Sequence, residues 1–353
     1  MTLFLTLLHA GLLVLLGLNW LYLRSARRID FKNERVPRLS VLIPARNEQE
    51  NLRRLLPSLA AQSYPNLEVI IYDDASEDDT WQVIKQLGDP RVRALRGSGP
   101  PEGWMGKPHA LYQAAKEATG DRLLFLDADA KLLHRGALRS MIALHEGLPA
   151  NAALTGLTKL RGAGGLLVSL VPNAILVGLP WFLVRYIPWS ALSAVNGQCW
   201  MIDARTYRDL EPHEAVKNEI LEDVMIGRYL KSQGVIPYLR DVQQDTAVYM
   251  YRSFADAWLG FRKNAYLILG GTPLSFAALF TLFGLTFVWA PFFGWWLLIT
   301  IFAFKILTDR IAGFGWTISL LAPVSYFLGW IQQLDSAIHH WIGRVSWKGR
   351  KVE

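Results

Sequence analysis

The chain has 353 residues, of which 52% are hydrophobic and 19% are charged. This composition excludes a disordered protein and a small disulfide scaffold, and a mean hydropathy of +0.19 is too low for a transporter whose spans fill the whole length. The net charge of +7 does not form a basic stripe with interleaved aromatic residues, so we expect no nucleic-acid partner. The single cysteine, Cys199, excludes an intramolecular disulfide and fits a reducing compartment.

The apolar residues are gathered into blocks towards the two ends of the chain. Residues 2–23, 264–304 and 311–334 contain no Asp, Glu, Lys or Arg, and each block is long enough to cross a bilayer as a helix. We therefore predict an N-terminal transmembrane anchor at residues 1–23. The other two blocks predict a C-terminal transmembrane region at residues 264–334, with two or three spans.

Basic residues flank these blocks. Arg24, Arg27 and Arg28 follow the first block, and residues 335–353 form a basic tail. Because positively charged flanks stay on the cytoplasmic side, we expect a multi-pass protein of the plasma or inner membrane with its tail in the cytoplasm. Residues 24–263 then form a cytoplasmic domain, which holds 31 of the 37 basic and 27 of the 30 acidic residues.

The cytoplasmic domain alternates between strand and helix patterns along the chain. Short apolar runs rich in β-forming residues predict strands, and apolar residues at helical spacing predict helices between them. The predicted strands are Leu39–Ile43, Leu67–Tyr72, Val92–Leu95 and Arg122–Leu126, and the predicted helices are Glu48–Gln62, Asp79–Leu87, Pro108–Thr119 and Glu219–Gln233. This alternation predicts an α/β fold with a mostly parallel sheet, in which ligands bind at the carboxyl ends of the strands.

Polar loops follow three of the predicted strands, at Pro44–Glu48, Asp73–Asp79 and Asp127–Asp129. Any one of these loops could simply cap the next helix, but the three together predict a binding site at one edge of the sheet. Asp127 and Asp129 directly follow a buried strand and can reach a hard divalent cation such as Mg²⁺ or Mn²⁺. A bare D-x-D pattern is common by chance, so the prediction depends on this position.

Two further segments carry polar residues whose roles stay open at this point. The loop Gly103–Lys107 is not a Walker A motif, because Pro101 and Pro108 stand where that motif needs Gly and Ser or Thr. Its lysine could meet a diphosphate at the start of the next helix, or it could be an ordinary solvated lysine. Glu222 and Asp223 lie near the start of the last predicted helix, where spacing alone favours partners of the helix dipole over a general base.

Together these segments resemble the inverting family 2 glycosyltransferases, whose GT-A fold is a Rossmann-like, mostly parallel sheet with flanking helices. The resemblance is strong over roughly residues 36–270 and rests on Val41–Glu48, Asp73–Ser76, Asp127–Asp129 and Glu222–Asp223. Other segments resemble the carotenoid branch of this family, which includes chlorobactene and diaponeurosporenoate glucosyltransferases. They are Gly103–Lys107, Asn196–Gln198 with Arg205 and Tyr207, His213–Val216 and Trp347–Arg350.

The resemblance implies roles at the matching positions. The residues implied in nucleotide-sugar binding are Pro44, Ala45, Arg46, Asn47 and Glu48 around the nucleoside, Asp73 and Asp74 at the base, Gly106 and Lys107 at the diphosphate, Asp127 at the ribose or sugar, and Arg252 as a further diphosphate contact. Asp129, together with Asp127, would hold a divalent Mg²⁺ or Mn²⁺. Asp223 would be the general base and Glu222 would support it.

The chain departs from the processive members of this superfamily. Those synthases carry a Gln-x-x-Arg-Trp motif, of which this sequence has no clean copy. The resemblance therefore implies transfer of a single hexose, with UDP-glucose as the expected donor and a carotenoid or related terpenoid as the expected acceptor. A ceramide, a diacylglycerol or a polyprenyl phosphate is the alternative acceptor. An inactive membrane scaffold with the same fold is the alternative of another class.

A fourth uncharged run, residues 162–184, lies inside the cytoplasmic domain. One crossing there would put Asp129 and Asp223 on opposite sides of the membrane. The family resemblance therefore implies an interfacial segment on the cytoplasmic face, through which a lipid acceptor enters. The alternative is that the run belongs to the soluble core. An amphipathic helix near residues 252–265 is also predicted at the membrane surface.

Overall fold

The structure is a computed structural model, and it describes residues 1–26, 36–347 and 350–351. The chain divides into two compact units. The sheet unit consists of Ser25–Lys159 and Leu183–Tyr249, and the helical unit consists of Met1–Arg24, Leu160–Phe182 and Met250–Glu353. The basic residues Arg27, Arg28 and Lys348, which the sequence places at membrane flanks, lie outside the described residues.

Strands and helices alternate through most of the sheet unit. The strands are β1 (Leu39–Ala45), β2 (Leu67–Asp74), β3 (Val92–Gly97), β4 (Arg122–Leu126), β5 (Ala130–Leu132), β6 (Ala152–Leu157), β7 (Lys159–Arg161), β8 (Cys199–Asp203), β9 (Ile236–Asp241), β10 (Thr246–Tyr249), β11 (Ser346–Trp347) and β12 (Arg350–Lys351). The first ten helices are α1 (Thr2–Arg24), α2 (Gln49–Ala60), α3 (Thr80–Gln86), α4 (Gly106–Lys116), α5 (Ala137–Glu146), α6 (Gly165–Val168), α7 (Leu170–Gly178), α8 (Ala204–Leu210), α9 (Pro212–Ala215) and α10 (Glu222–Ser232). They are followed by α11 (Phe254–Ile268), α12 (Pro273–Phe283), α13 (Trp295–Ala312), α14 (Trp316–Leu320) and α15 (Ala322–Trp341).

The sheet unit is built on a seven-stranded sheet with the strand order β3-β2-β1-β4-β8-β6-β9. Its first four neighbours are parallel, β6 and β9 are also parallel, and β8 runs antiparallel to both β4 and β6. The predicted α/β fold with a mostly parallel sheet is therefore confirmed. All four predicted strands are present, and β1, β2 and β3 extend two residues beyond the predicted ends.

The central strands are buried on both faces, as expected for parallel strands covered by helices. Every residue of β2 is buried, including its two terminal aspartates. In the register of β1 and β2, Ala45 is opposite Asp73, so the loops that follow these strands begin at the same edge of the sheet. Below this edge, the ring of Phe125 on β4 stacks on Trp200 of β8 with centroids 4.2 Å apart.

The helices of the sheet unit differ from the predicted ranges at their ends. Helix α4 begins at Gly106, two residues before Pro108, because a proline in the first turn needs no amide hydrogen bond. It ends before Thr119, whose backbone amide and hydroxyl donate instead to the Glu68 carboxylate at 2.6 and 2.9 Å. Helix α10 begins at Glu222, because Leu221 leaves helical geometry with a ψ of 57°.

The helical unit contains α1, α6, α7 and α11 to α15. Two segments of the described residues are long and apolar enough to cross a membrane by length and composition, Thr2–Arg24 and Gly165–Leu183. A third candidate is the pair Phe254–Ile268 and Pro273–Val288, which is bent by 111° at its break. Helix α13 contains Lys305, Asp309 and Arg310, so it is not among these candidates. The predicted C-terminal spans stay a prediction.

The uncharged run at residues 162–184 forms short pieces of helix. Helices α6 and α7 meet at Ser169, and a 3₁₀ turn at Trp181–Leu183 follows Pro180. The amide of Asn19 on α1 donates to the carbonyl oxygens of Leu176 and Leu179 at 2.7 and 2.8 Å. These bonds satisfy carbonyls at the end of α7 that have no partner within the helix. The amphipathic pattern near 252–265 lies in α11.

Candidate functional site

The loops after β1 and β2 are tied to each other at the edge of the sheet. The guanidinium of Arg46 donates to the carbonyl oxygens of Asp74 and Ala75 at 2.9 and 3.0 Å. The backbone amide of Asn47 donates to the hydroxyl of Ser76 at 3.0 Å, and Asn47 has a positive φ of 53°. Asparagine tolerates this left-handed geometry better than most residues. The structure therefore brings the first two predicted loops together.

Part of this arrangement is ordinary helix capping. The amide of Glu48 donates to the Thr80 hydroxyl at 2.7 Å, and that of Gln49 donates to the Asp78 carboxylate at 3.3 Å. The Glu48 carboxylate accepts a bond from Asn51 at 2.6 Å. Capping thus accounts for Asp78 and Thr80, but it leaves the acids at the end of β2 unexplained.

Asp73 and Asp74 are buried at the end of β2, with 0% and 3% of their surfaces exposed. The Asp73 carboxylate accepts a bond from the amide of Ser76 at 3.1 Å, and its other oxygen lies 3.7 Å from the Arg96 guanidinium on β3. Pro44 and Ala45, the last residues of β1, lie on the neighbouring strand. These residues line one part of the sheet edge, as the sequence predicts.

Lys107 is at the centre of a cluster of carboxylates. Its amino group lies 2.7 Å from Asp127 Oδ1, 3.2 Å from Glu222 Oε1 and 3.4 Å from the carbonyl oxygen of Gly197. Helix α4 begins one residue earlier, at Gly106, and so fixes the backbone of this lysine. The alternative of a solvated loop lysine is wrong. The structure brings the Gly103–Lys107 loop, the D-x-D turn and helix α10 into one site.

Asp223 lies in the first turn of α10 beside this cluster. Its carboxylate accepts bonds from the amides of Val224 at 2.8 Å and Gly197 at 3.4 Å. Its carbonyl oxygen accepts a bond from the amide of Val195 at 3.2 Å. The interpretation of Glu222 and Asp223 as mere helix-dipole partners misses these contacts, which join α10 to the segment before β8.

Gly197 is a site residue that is not among the predicted binding residues. A Cβ atom at this position would lie 3.1 Å from Asp223 Cβ and 3.2 Å from Lys107 Nζ, so a larger residue would crowd both. Asn196 holds the glycine in place, because its side chain donates to the Gly156 carbonyl at 2.7 Å and its amide donates to Thr155 at 2.6 Å. The Asn-Gly-Gln signal in the sequence marks this turn but not its partners.

Burial and charge shift the pKa values of the cluster. Burial and the nearby Glu222 carboxylate raise the pKa of Asp223 to about 6, although Lys107 acts in the opposite direction. Burial also raises the pKa of Asp127, and Lys107 offsets part of that rise. For Lys107, burial lowers the pKa, but the carboxylates of Asp127 and Glu222 outweigh it and raise the pKa above its ordinary value. Lys107 is therefore a permanent cation between carboxylates.

A buried histidine supports the floor of the site. His213 on α9 is fully buried, and its Nδ1 is 2.8 Å from the hydroxyl of Tyr207. Its ring packs on Phe125 and Trp200 with centroid distances of 4.8 and 5.7 Å. Burial and the charge of Lys107 lower the pKa of His213 to about 3. The histidine is therefore neutral near pH 7 and braces the strand that ends in Asp127.

The D-x-D turn offers two carboxylates to a divalent cation. The amide of Ala130 donates to the Asp127 carbonyl at 3.1 Å, and the amide of Tyr249 donates to the Asp129 carbonyl at 2.9 Å. No group of three or more His, Cys, Asp and Glu side chains converges within the described part of the chain. A cation that binds substrate phosphates needs only one or two protein carboxylates, so the hard oxygen donors of Asp127 and Asp129 fit such a site.

Arg252 lies in the helical unit and is exposed. Its predicted contact with a diphosphate stays a prediction. The other predicted binding, metal and catalytic residues all belong to the sheet unit.

Comparisons with known proteins identify the domain. Residues 40–166 match the family model described as glycosyl transferase family 2. Over 141 residues, the chain is 36% identical to 4,4'-diaponeurosporenoate glycosyltransferase of Staphylococcus haemolyticus, which is 39% of this chain and 37% of that protein. The enzyme of the same name from Staphylococcus aureus is 33% identical over 118 residues, or 33% of this chain and 30% of that protein. The matches thus span about a third of the length of these relatives.

A solved structure extends the comparison to almost the whole fold. A mannosyltransferase from Pyrobaculum calidifontis, in complex with GDP-Man and Mn²⁺, superposes with a TM-score of 0.61. The superposition covers 96% of this chain and 97% of the mannosyltransferase at 16% identity, so it supports the fold alone. The chain therefore carries a glycosyl transferase family 2 domain and has the GT-A fold.

Proposed function

We propose that the chain is a membrane-bound, metal-dependent inverting glycosyltransferase, which transfers one hexose from UDP-glucose to a hydrophobic lipid. The observation that carries the proposal is the position of Asp223, a buried carboxylate with a pKa of about 6, beside the Lys107 cluster at the carboxyl edge of the sheet. This edge is where open α/β sheets bind their ligands. The expected acceptor is a carotenoid or a related terpenoid.

The donor occupies the edge formed by the ends of β1, β2 and β4. Asp73 and Asp74 contact the base, and Pro44–Glu48 line the nucleoside. Lys107 sits at the start of α4, where backbone amides and a lysine favour a diphosphate. Asp129 and Asp127 would hold Mg²⁺ or Mn²⁺, which would offset the negative charge of the nucleoside diphosphate as it leaves.

Asp223 takes the proton of the acceptor as the acceptor attacks the anomeric carbon. A base works best when its pKa is close to the working pH, and burial next to Glu222 moves Asp223 in that direction. The amides of Gly197 and Val224 hold its carboxylate in place. A single displacement of this kind inverts the configuration at the anomeric carbon.

The acceptor class is supported by the relatives and by the sequence. Both relatives are named for transfer to a carotenoid acid, although each match covers only about a third of the relative. The absence of a clean Gln-x-x-Arg-Trp motif favours transfer of a single sugar. The two candidate spans support work at a membrane, with the domain on the cytoplasmic side of the plasma or inner membrane.

The test is mass spectrometry of lipid extracts from cells that contain the protein, the Asp223→Asn variant or neither. A pigment shifted by one hexose, seen only with the unchanged protein, supports the proposal. A shifted ceramide, diacylglycerol or polyprenyl phosphate would replace the acceptor class and keep the transfer. If no lipid gains a hexose and the purified protein does not hydrolyse UDP-glucose, the proposal is wrong and an inactive scaffold takes its place.

A further inference from the structure

The segment Arg185–Leu192 presents two large aromatic side chains to the outside of the sheet unit. Tyr186 is 65% exposed and Trp189 is 69% exposed. Arg185 is also exposed, and its guanidinium lies over the Tyr186 ring, 4.3 Å from the centroid. Tyrosine and tryptophan next to a basic residue are typical of the membrane–water interface, where each ring has one apolar and one polar end. We call this segment the docking loop.

Two hydrogen-bonded turns hold the docking loop in shape. The amides of Tyr186 and Ile187 donate to the carbonyl oxygen of Leu183 at 2.8 and 3.1 Å. The amide of Leu192 donates to the carbonyl oxygen of Trp189 at 3.1 Å, which closes a 3₁₀ turn at Ser190–Leu192. The exposed rings are therefore presented by ordered backbone.

The residues after the docking loop pack directly on helix α10. The hydroxyl of Ser193 donates to the Gly227 carbonyl at 3.0 Å. A Cβ atom on Gly227 would lie 2.3 Å from the Cα of Ala194, so the two backbones touch only because Gly227 has no side chain. The chain then continues through Val195 to Gly197, whose amides bond to Asp223. A push on the docking loop thus has a short, packed route to Asp223.

The features of the loop point to a bilayer as its partner. Gly165–Leu183, which ends just before the loop, is long and apolar enough for a membrane segment. The guanidinium of Arg185 adds a charge that suits anionic headgroups. We propose that Arg185, Tyr186 and Trp189 dock on the surface of an anionic bilayer, and that Ser193–Gly197 pass this contact to α10 and so position Asp223. The docking stands without the proposed function, whereas its effect on turnover rests on it.

Docking is tested without any sugar transfer. The full chain with Ala191→Cys, in nanodiscs of phosphatidylcholine and phosphatidylglycerol, is labelled with a fluorescent maleimide. The native Cys199 should not react, because it is fully buried and burial raises its pKa to about 12. We expect quenching by headgroup spin-labelled lipid and protection from iodide, both lost when Tyr186→Ser and Trp189→Ser are added. Equal iodide access in the two proteins would overturn the docking.

Two controls make the docking test specific. A label at Arg205→Cys, whose side chain is 91% exposed in the same unit, should stay open to iodide. Equal protection at both labels would show general crowding by the nanodisc and would contradict a dedicated loop. Nanodiscs of phosphatidylcholine alone, or the Arg185→Gln variant, should weaken the spin-label quenching. Unchanged quenching in both would contradict the role of Arg185 and anionic lipid.

The link to turnover is tested with lipid acceptor and UDP-glucose in the same nanodiscs. The Tyr186→Ser, Trp189→Ser protein should lose about tenfold in kcat/KM for the acceptor with UDP-glucose binding unchanged, the effect of removing large apolar side chains from a lipid contact. The exchange Tyr186→Trp, Trp189→Tyr keeps two interfacial rings and should restore the rate. Failure of this exchange to restore it, or equal loss of UDP-glucose binding, would contradict the link.

Gly227→Ala separates the link from the docking. The added methyl group must move Ala194, so acceptor transfer should fall while the quenching at position 191 persists. Ser193→Ala removes only the bond to Gly227 and should give a smaller fall in a folded protein, which thermal unfolding would verify. Normal transfer by both variants would overturn the link. If the unchanged protein transfers no sugar at all, the proposed function fails and the docking result still stands.

Discussion

Asp223 is the residue on which the proposed proton transfer depends. Asp223→Asn keeps an oxygen for the amides of Gly197 and Val224 but cannot accept a proton, so we expect transfer to fall by about 10²- to 10⁴-fold. Binding of UDP-glucose, measured by calorimetry, should be unchanged. In the unchanged protein, kcat/KM should decline as the pH falls through about 6, the pKa of this carboxyl group. A flat profile across that range would contradict the assignment.

The same raised pKa affects stability in the opposite direction. Because the pKa of Asp223 is about 6 in the folded protein and 3.8 ordinarily, its protonated form contributes stability that is complete below pH 3.8 and is lost as the pH rises through about 6. Asp223→Asn stays neutral, so it should raise the melting temperature above pH 6 and leave it unchanged below pH 3.8. One pKa unit corresponds to about 1.4 kcal/mol, which sets the scale. A pH-independent difference would contradict this.

Lys107 is expected to act on both the donor and the base. Lys107→Met leaves Asp127 and Glu222 without their cation and removes a charge that lowers the pKa of Asp223. The KM for UDP-glucose should rise, and the acid limb of the pH profile should move to higher pH. Lys116→Met, an exposed lysine at the end of the same helix, is the matched control and should change neither. An unmoved acid limb in Lys107→Met would argue against this role.

The elements of the sheet unit could be predicted because their patterns are local. Four apolar runs became β1 to β4, since parallel strands covered on both faces must be apolar throughout. The ends of the helices were less predictable, because distant side chains set them. Glu68, for example, binds Thr119 and so limits α4. The charge-free run at 264–304 is interrupted by breaks at Gly270–Thr272 and Gly294, which run length does not reveal.

The candidate site shows the same division. Asp73, Asp74 and Asp127 each lie at or directly after the end of a parallel strand, so the strand pattern alone predicts that they share one edge of the sheet. The bond between Lys107 and Asp127, and the contact of Gly197 with both Lys107 and Asp223, join residues that are far apart in sequence. Spacing along the chain carries no information about such contacts, so Glu222 and Asp223 could be assigned a role only through family resemblance.

The segment α6–α7 allows a test of acceptor entry. Ala174 is exposed on α7, whereas Leu176 is fully buried and its carbonyl binds Asn19. If the segment lies at the interface, Ala174→Asp should reduce transfer to a lipid acceptor and leave UDP-glucose hydrolysis intact. Leu176→Asp is the contrast, since a buried charge should lower the melting temperature and both activities. Equal loss of both activities in a stable Ala174→Asp protein would contradict acceptor entry.

At the scale of the whole molecule, the 52% hydrophobic content is concentrated in a helical unit with polar contacts inside it. The ring of His9 on α1 bonds to the carbonyl of Thr286 and to the hydroxyl of Thr300. Asn19 bonds to the end of α7. Lys305, Asp309 and Ser319 form a fully buried hydrogen-bonded set. Helix α1 is thus packed as part of this unit, which a simple membrane anchor does not require.

Replacing α1 tests whether it is more than an anchor. An unrelated apolar helix of equal length should keep the protein in the membrane fraction, but it cannot bond to the carbonyls of Thr286, Leu176 and Leu179. Each buried carbonyl left unsatisfied costs about 1–3 kcal/mol, so thermal unfolding in detergent should occur at a lower temperature. The same replacement with His9 and Asn19 restored is the control and should recover most of that loss. If the plain replacement unfolds at the original temperature, α1 serves only as an anchor, because its polar contacts then contribute nothing measurable to the folded unit.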